Sequence, residues 1–411
     1  MVRMLLTGNA AAAWGARLAD IDYVPAFPIT PQTEIIESLA AWFADGTLQG
    51  KFVTLDSEHA MMTAAGAAAA TGVRTFTATS SQGLLYAMEA LYTIAGWRAP
   101  LVLVNVSRGL SAPITLGPDH NDVLAARDTG FVQIHAETCQ EVLDSILMAF
   151  HIAEDSRVWA PVLVNLDGFY LSFTRESVDI PDEAAVRSFL PAYQPKHPVF
   201  RASQPMAQGV AVLDSSIYSY FRYQLHRAVE NAGPVHAEVS ARFQAQFGRP
   251  YGAIETYDTD DAETLLVMAG SFATKGKAAV RHWRRQGKRV GLVRLRLIRP
   301  LPVRELTEVL SGRRAVAVLD QSLSPGLGGI LYHEIAAALA ASPQRPQVLR
   351  SFIGGLGGKD ISQAEFDYLL EELETVKATP YFGQPELLFT ERDRARVRQQ
   401  LALAGKSPEG G

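Results

Sequence analysis

Short runs of aliphatic and β-branched residues alternate with alanine-rich stretches through the first half of the chain. The apolar runs predict buried strands at residues 5–7, 52–55, 75–79, 101–106 and 161–166. The alanine-rich stretches predict helices at residues 10–18, 60–70, 83–95 and 140–154. This alternation indicates an α/β fold with a mostly parallel sheet, in which ligands bind at the carboxyl ends of the strands.

A second alternation follows a less regular middle section. Five prolines between residues 180 and 205 predict an extended crossing segment, and residues 215–247 return to a helical period. After a polar break at 255–261, we predict strands at 264–268, 290–297 and 315–319, with helices at 273–286 and 303–310. We therefore predict two α/β domains, residues 1–255 and 256–411, with a charged tail from Thr390 that frays.

Composition narrows the class of protein. With 411 residues and 48% hydrophobic residues, the chain can bury the cores of two or three domains. A net charge of -5 argues against nucleic acid as the main ligand, and no apolar run reaches the ~18 residues of a membrane span. The single cysteine, Cys139, excludes an internal disulfide and a cysteine-held cluster. Gly8 and Asn9 interrupt the apolar N-terminus, so we expect a cytoplasmic protein without a secretory signal.

The sequence Asp56-Ser57-Glu58-His59 lies between a predicted strand and the helix that follows it. In a structural interpretation, Ser57 or Asp56 caps the helix and the helix dipole favours Glu58 in the first turn. In a functional interpretation, Glu58 lies where ligands gather and accepts a hydrogen bond from a nitrogen heterocycle.

Two further residues occupy positions typical of ligand contacts. Thr30 lies in the rigid loop Pro28-Ile29-Thr30-Pro31, which either presents a hydroxyl to a ligand or forms an ordinary turn. Arg108 follows the strand at 101–106 and is either a fork for a carboxylate or half of a structural ion pair. The glycine-rich stretches 325–329 and 354–358 lack dinucleotide or phosphate-loop spacing, and we interpret them as tight turns.

These pieces occur in a specific order along the chain. The ordered set is Gly8-Asn9-Ala10, Phe27-Pro28-Ile29-Thr30-Pro31, Asp56-Ser57-Glu58-His59-Ala60, Thr79-Ser80-Ser81-Gln82-Gly83, Arg108, Asp119-His120-Asn121-Asp122, Arg127-Asp128-Thr129-Gly130-Phe131 and Asp167-Gly168-Phe169. From residue 1 to about residue 380 the chain resembles the alpha subunit of the thiamine-diphosphate-dependent 2-oxoacid:ferredoxin oxidoreductases, the pyruvate synthase and phenylglyoxylate dehydrogenase group.

The resemblance implies a fold and a chemistry. Residues 1–255 would form the domain that holds the aminopyrimidine ring of thiamine diphosphate, and the rest would resemble a transketolase C-terminal domain. Glu58 matches the glutamate that binds the ring nitrogen, and Thr30 and Arg108 match residues that hold the substrate carboxylate. Pro28, Ser81 and Gln82 are also expected on the cofactor side. The implied reaction is oxidative decarboxylation of a 2-oxoacid to acyl-CoA.

The family's Gly-Asp-Gly motif with a downstream asparagine, which binds Mg²⁺ and diphosphate, is missing from this chain. We therefore expect no metal ligands here and a beta subunit that completes the site. The resemblance also implies a gamma subunit and a cluster-bearing delta-type subunit, with [4Fe-4S] clusters in the partner chains, and ferredoxin or another acceptor would take the electrons. The alternatives are a scaffold subunit without catalysis, and a subunit of a non-redox thiamine-dependent transferase or decarboxylase.

Three departures from the family pattern bear on the substrate. Phe27 replaces a tyrosine, Phe173 replaces a histidine, and Leu116 lies in a stretch that often contains bulky aromatic residues. Fewer polar groups and more space would suit an aryl 2-oxoacid such as phenylglyoxylate as well as pyruvate. The other explanation is neutral drift. Thr30 disfavours an oxalate-specific enzyme, because that group resembles an arginine-bearing version.

Overall fold

The computed structural model describes residues 2–376 and 384–405. Its strands are β1 (Val2–Thr7), β2 (Tyr23–Ala26), β3 (Lys51–Thr54), β4 (Phe76–Thr79), β5 (Val102–Ser107), β6 (Val132–His135), β7 (Val162–Asp167), β8 (Arg175–Ile180), β9 (Ile254–Tyr257), β10 (Thr264–Ala269), β11 (Val290–Leu295), β12 (Leu297–Arg299), β13 (Ala315–Asp320), β14 (Val348–Ile353) and β15 (Glu386–Leu387). Its helices are α1 (Gly8–Leu18), α2 (Thr33–Ala44), α3 (Glu58–Ala70), α4 (Gln82–Tyr86), α5 (Met88–Trp97), α6 (Asn121–Ala125), α7 (Cys139–Glu154), α8 (Glu183–Phe189), α9 (Ser215–Phe247), α10 (Ala273–Arg285), α11 (Val303–Leu310), α12 (Ile330–Leu339), α13 (Gln363–Thr375) and α14 (Glu391–Leu403).

Two mainly parallel sheets organise these elements, which confirms the predicted α/β class. The first sheet has the order β12-β6-β7-β5-β4, and a single bridge between Tyr23 and Thr75 joins the β2–β3 pair to its β4 edge. The second sheet has the order β15-β14-β13-β10-β11-β9, with β9 antiparallel. Strand β12 follows β11 in the chain yet pairs with β6 of the first sheet. The chain therefore passes directly from the second sheet into the first.

A shared apolar layer lies between the two sheets. In β5, Val102 and Val104 point to an outer core with α1 and α7, while Leu103 points to the middle layer. In β10, Leu265 and Val267 join that same middle layer, and Leu266 and Met268 join a third core with α10 and α13. Because alternate residues of a strand point to opposite faces, each sheet is covered by an apolar layer on both faces. The middle layer is a core that the two sheets share.

The outer core depends on small residues in α1. Ala11, Ala12 and Ala16 are fully buried, and a Cβ added to Gly15 would lie 2.9 Å from the carbonyl oxygen of Leu143 in α7. The alanine-rich sequence therefore serves close helix packing as well as helix propensity. None of the helices in the described ranges is long and apolar enough to span a bilayer.

The structure corrects three sequence-based predictions. The helix predicted at 83–95 is two helices, α4 and α5, that meet at Ala87. The segment predicted as extended contains α8, whose Val186 and Phe189 are buried against the outer core. The charged tail is not frayed throughout, because Thr390 and Asp393 form a capping box for α14. The end of that tail, residues 406–411, lies outside the described residues.

Buried charges lie at the junction of the two sheets. Arg294 in β11 is 1% exposed and pairs with Glu137, Glu141 and Glu255 at N–O distances of 3.1, 3.0 and 2.7 Å. Lys277 adds pairs to Glu137 and Glu255. Burial alone would raise the pKa of Glu141, but the guanidinium groups of Arg294 and Arg296 outweigh it and lower that pKa to about 2.

We predict that Glu141→Gln lowers the free energy of unfolding by about 3 kcal/mol at pH 7, because it leaves Arg294 short of a counter-charge. The fold holds the pKa of Glu141 at about 2 against an ordinary value of 4.5, so the ionic contribution is complete above that value. The difference between variant and wild type should shrink as the pH falls from 4.5 toward 2, where the wild-type carboxylate is also protonated.

Chemical denaturation between pH 7 and pH 3 measures this difference. Glu238→Gln is the control, because Glu238 pairs with Arg157 on the exposed surface and should leave stability unchanged. A Glu141→Gln effect that does not change with pH would show that packing, not charge, explains the loss.

Candidate active site

The carboxyl ends of β2 to β5 and β7 meet at one edge of the first sheet, and the predicted site residues lie there. Ser57 caps α3 by accepting a hydrogen bond from the backbone N–H of Ala60 at 3.1 Å, so the capping interpretation holds for Ser57. Glu58 is the first residue of α3 and is only 8% exposed. Its carboxylate has no hydrogen bond or ion pair with any residue in 2–376 or 384–405, so capping alone does not explain it.

A glycine makes room for the Glu58 side chain. A Cβ added to Gly83, in α4, would lie 2.6 Å from Oε1 of Glu58 and 2.7 Å from Oγ1 of Thr79. The carboxylate of Glu58 therefore lies directly against the start of α4. The two residues before Gly83 are Ser81 and Gln82, so the predicted cofactor-side residues are adjacent to Glu58 in space.

Arg108 lies at the end of the neighbouring strand β5 and is 7% exposed. Its Nη1 donates to the carbonyl oxygen of Thr30 at 2.7 Å, and its Nη2 donates to Oε1 of Gln82 at 2.6 Å. Nε is buried and has no partner. Both partners are neutral, and no carboxylate in the described part of the chain lies within ion-pair distance of the guanidinium. The structural ion pair considered from the sequence is thus not formed.

The electrostatics of Arg108 leave it charged. Burial lowers the pKa of its guanidinium from the ordinary value, while the carboxylates of Asp122 and Glu58 act in the opposite direction. An arginine keeps its proton under any such shift, because its pKa starts so high. The group therefore retains a positive charge and unused N–H donors that match an anionic ligand.

The remaining predicted residues surround this cluster less closely. Phe27 is half-buried against the middle core and Pro28 is exposed. Phe173 is 36% exposed and contacts Phe169 with ring centroids 5.0 Å apart. Leu116 is 52% exposed in a loop that returns to Gly109, the neighbour of Arg108. No contact in the described chain joins Phe27, Phe173 and Leu116 to one another.

The second domain holds the Leu116 loop in place. A Cβ on Gly117 would lie 2.1 Å from the carbonyl oxygen of Gly357, and the backbone N–H of Gly357 donates to Asp119 at 3.1 Å. Gly357 has a positive φ of 58°. The stretch 354–358 is therefore a tight turn, as predicted, and its glycines allow two backbones to touch.

A buried polar network below the site has no role in the sequence-based prediction. Its members are fully or almost fully buried: Asn105, Ser107, His120, Asp122, Asn165, Asp167. Asp122 and His120 belong to a motif that supported the family resemblance, but their neighbours come from separate strands. Only spatial proximity could have identified the group. No cluster of three or more His, Cys, Asp or Glu side chains suited to a metal ion occurs in the described ranges.

Comparison with known proteins agrees with this geometry. Residues 14–241 match the family model "Pyruvate flavodoxin/ferredoxin oxidoreductase, thiamine diP-bdg", and residues 262–366 match "Pyruvate:ferredoxin oxidoreductase core domain II". The first model covers more than half of the chain. Fold and matched models therefore define an oxidoreductase subunit of the thiamine diphosphate-binding class.

Curated relatives extend along nearly the whole chain. The pyruvate synthase subunit PorA of Pyrococcus abyssi is 41% identical over 94% of this chain and 96% of its own length. The ketoisovalerate oxidoreductase subunit VorA of the same organism is 39% identical over 91% of this chain and 94% of its own. The chain therefore belongs to the 2-oxoacid:ferredoxin oxidoreductase family, as an alpha-type subunit.

A solved structure shares the fold. It is the 2-oxoglutarate:ferredoxin oxidoreductase from Magnetococcus marinus with 2-oxoglutarate, coenzyme A and succinyl-CoA bound. The TM-score is 0.69 at 18% identity, over 90% of this chain and 65% of that one. At this identity the likeness concerns the arrangement of the two domains and not the substrate.

We predict that Gly83→Ala abolishes most of the activity of the assembled enzyme while the chain stays folded. The new methyl group would meet Oε1 and Cγ of Glu58 and Oγ1 of Thr79. All three are side-chain atoms that can rotate away, so displacement of the carboxylate costs less than unfolding. A displaced catalytic group typically costs about 10²-fold in rate. Steady-state kinetics and the melting temperature measure the two effects separately.

Gly96→Ala is the matched control. Gly96 is also helical, in α5, and a Cβ there meets nothing within 4 Å. That variant should keep full activity and gain about 0.5–1 kcal/mol of stability from the better helix former. Full activity in Gly83→Ala would mean that the position of the Glu58 carboxylate does not matter for the reaction.

Proposed function

We propose that this chain is the catalytic alpha subunit of an enzyme that converts a 2-oxoacid, coenzyme A and an oxidised acceptor into acyl-CoA, carbon dioxide and the reduced acceptor. One observation carries the proposal. Glu58 and Arg108 lie at the same sheet edge, are at least 92% buried, and have no oppositely charged partner in hydrogen-bond contact within the described chain. Buried charges are normally paired, so such groups are typical of a ligand site.

The residues present fit one end of thiamine diphosphate. The carboxylate of Glu58 has free lone pairs and space beside Gly83, so it can accept a hydrogen bond from a protonated ring nitrogen. Pro28 and Ser81 are further cofactor contacts in this proposal, as the family resemblance implies. When bound, thiamine diphosphate supplies the nucleophilic carbon and the electron sink that decarboxylation of a 2-oxoacid needs.

Arg108 would then bind the 2-oxoacid substrate. Its free N–H donors suit the carboxylate of the substrate, with the Thr30 hydroxyl as a neutral neighbour. Gln82 holds Nη2 of Arg108 and also donates from Nε2 to Ser111 at 2.9 Å, so we assign it to orienting the guanidinium. When the carboxylate is held, the carbon–carbon bond that breaks in decarboxylation has a fixed orientation relative to the cofactor.

Partner chains complete this model. The sequence lacks the Gly-Asp-Gly motif, so we place Mg²⁺ and the diphosphate end on a beta subunit. A gamma subunit and a cluster-bearing delta-type subunit would join these two subunits, with [4Fe-4S] clusters in the partner chains that pass electrons to ferredoxin or another acceptor. The relatives PorA and VorA are themselves named as subunits, which supports a hetero-oligomer. As the sequence suggested, we propose that this assembly works in the cytoplasm.

We predict that Glu58→Gln slows exchange of the cofactor's C2 proton in the assembled complex by about 10²-fold or more. The amide keeps the size of the side chain but cannot stabilise a protonated ring nitrogen, which is the contribution expected of acid–base catalysis. Deuterium exchange followed by NMR measures the rate independently of substrate turnover.

Glu89→Gln is the matched control, because Glu89 lies close by, pairs with His59, and is exposed. It should leave both exchange and turnover unchanged. An unchanged exchange rate in Glu58→Gln would favour the scaffold subunit. Normal exchange and decarboxylation in wild type without any electron transfer to an acceptor would favour the non-redox transferase or decarboxylase.

For the substrate we propose pyruvate or an aryl 2-oxoacid, and the contact between Phe173 and Phe169 is the observation that keeps the second candidate open. The loop that carries them lies against the loop Pro28-Ile29-Thr30-Pro31, since a Cβ on Gly168 would lie 2.8 Å from Cγ of Pro31. An aromatic substrate that buries its ring there would gain about 25 cal/mol per Å², or a few kcal/mol over a methyl group.

Specificity constants for pyruvate, 2-oxoisovalerate and phenylglyoxylate, measured with one artificial acceptor, decide between these substrates. If Phe173 lines the pocket, Phe173→Ala should weaken use of phenylglyoxylate by about tenfold or more and leave pyruvate nearly unchanged. A clear preference for pyruvate that Phe173→Ala does not alter would place Phe27, Phe173 and Leu116 outside the pocket.

A further inference from the structure

Asp122, in α6, lies beneath the proposed substrate site and is fully buried. Its carboxylate faces five donor groups. Oδ1 accepts from Val123 N at 2.7 Å and lies 3.1 Å from Ser107 Oγ, whose single proton also faces Oδ1 of Asn165 at 2.7 Å. Oδ2 accepts from Ser81 N at 3.0 Å, Asn105 Nδ2 at 3.1 Å and Arg108 N at 3.3 Å. All five donors belong to this chain, so no ligand is needed to satisfy the group.

Two of these donors belong to the site itself. Ser81 follows β4 and Arg108 follows β5, and the two strands are parallel neighbours. One carboxylate oxygen therefore ties together the two chain segments that supply Gln82 and Arg108. The bonds go to backbone N–H groups, so they fix where each segment leaves its strand.

The backbone at Ser81 shows why such a tie matters. Its φ is 51°, in the left-handed region that a serine occupies only at some energetic cost. This turn points the next residue, Gln82, toward Arg108, where the side chains meet at 2.6 Å. Without the bond from Asp122, the Ser81 turn loses one of the contacts that hold it.

We propose that Asp122 is a positioning residue for the reaction: by binding the backbone of Ser81 and Arg108 together, it sets the direction in which the Arg108 guanidinium faces the substrate carboxylate. The proposal rests on the proposed function, because it assumes that Arg108 binds the substrate. Asp122 itself touches neither cofactor nor substrate.

A purely structural role is the competing explanation, since any buried carboxylate with five donors contributes to stability. The two roles predict different kinetics. A structural residue lowers the amount of folded enzyme, whereas a positioning residue for Arg108 raises the KM for the 2-oxoacid more than it lowers kcat. The effect must also depend on Arg108 being present.

The experiment uses Asp122→Asn in the assembled complex, with and without Arg108→Ala. An amide at this position places N–H donors against N–H donors, so the network must rearrange. We expect Asp122→Asn to raise the KM for the 2-oxoacid by about tenfold or more, with kcat reduced less than threefold. In the Arg108→Ala background, the same change should alter KM by less than twofold.

Asp144→Asn is the matched control. Asp144 is also buried and bonded, to Arg249 and Tyr251, but it belongs to the outer core. It should lower the melting temperature and leave KM unchanged. If Asp122→Asn behaves in the same way, its role is structural and the inference is overturned.

Two other outcomes are decisive. If Asp122→Asn does not assemble, Asp122→Glu keeps the charge and moves the carboxylate away from the backbone N–H groups of Ser81 and Arg108, and an unchanged KM in that variant overturns the inference. If Arg108→Ala alone leaves KM unchanged, the proposed function of Arg108 fails. If Arg108→Ala raises KM and Asp122→Asn does not, only the inference about Asp122 fails.

Discussion

Burying charged groups between two sheets is costly, and the fold meets that cost in two contrasting ways. At the domain junction, Arg294 and Lys277 are surrounded by the carboxylates of Glu137, Glu141 and Glu255. At the sheet edge, Glu58 and Arg108 have no opposite charge in hydrogen-bond contact among residues 2–376 and 384–405. The first arrangement stabilises the contact between the sheets, and the second is what our proposal of a ligand site rests on.

Residues of the second sheet and its loops pack against the loops of the candidate site. Gly357 lies against Gly117, and Ser271 donates to Asp167, which also pairs with His120 at 2.7 Å. Burial acts to lower the pKa of His120, but Asp167 outweighs it and raises that pKa, which favours the charged pair. The loop between Arg108 and His120 is thus fixed at both ends by contacts with the second domain or the strand beneath it.

The hydrogen bonds beneath the candidate site depend on whether the carboxyl group of Asp122 is ionised. Burial raises the pKa of Asp122 to about 6, although hydrogen bonds from Asn105 and the backbone of Val123 oppose the shift. Above that pH the carboxylate accepts all of its donors, and protonation would turn one oxygen into a donor facing other donors. The hydrogen bonds to Asp122 are therefore fully formed at a pH near neutrality.

The sequence by itself determined the α/β class, the more apolar strands of each sheet, and Glu58, Thr30 and Arg108 as candidates, because strand periodicity and motif order are local properties. It did not predict β2, β6, β8, β9, β14 or β15, and the strand predicted at 290–297 is two strands, β11 and β12, that belong to different sheets. It missed the break between α4 and α5, the helix α8 and the capped helix α14, where capping and packing outweighed the composition of the segment. Only the tertiary structure decided that Arg108 has neutral partners, that Gly83 makes room for Glu58, and that Asp122 connects two strands. These facts depend on distances between residues far apart in the chain, and neither composition nor spacing encodes such distances.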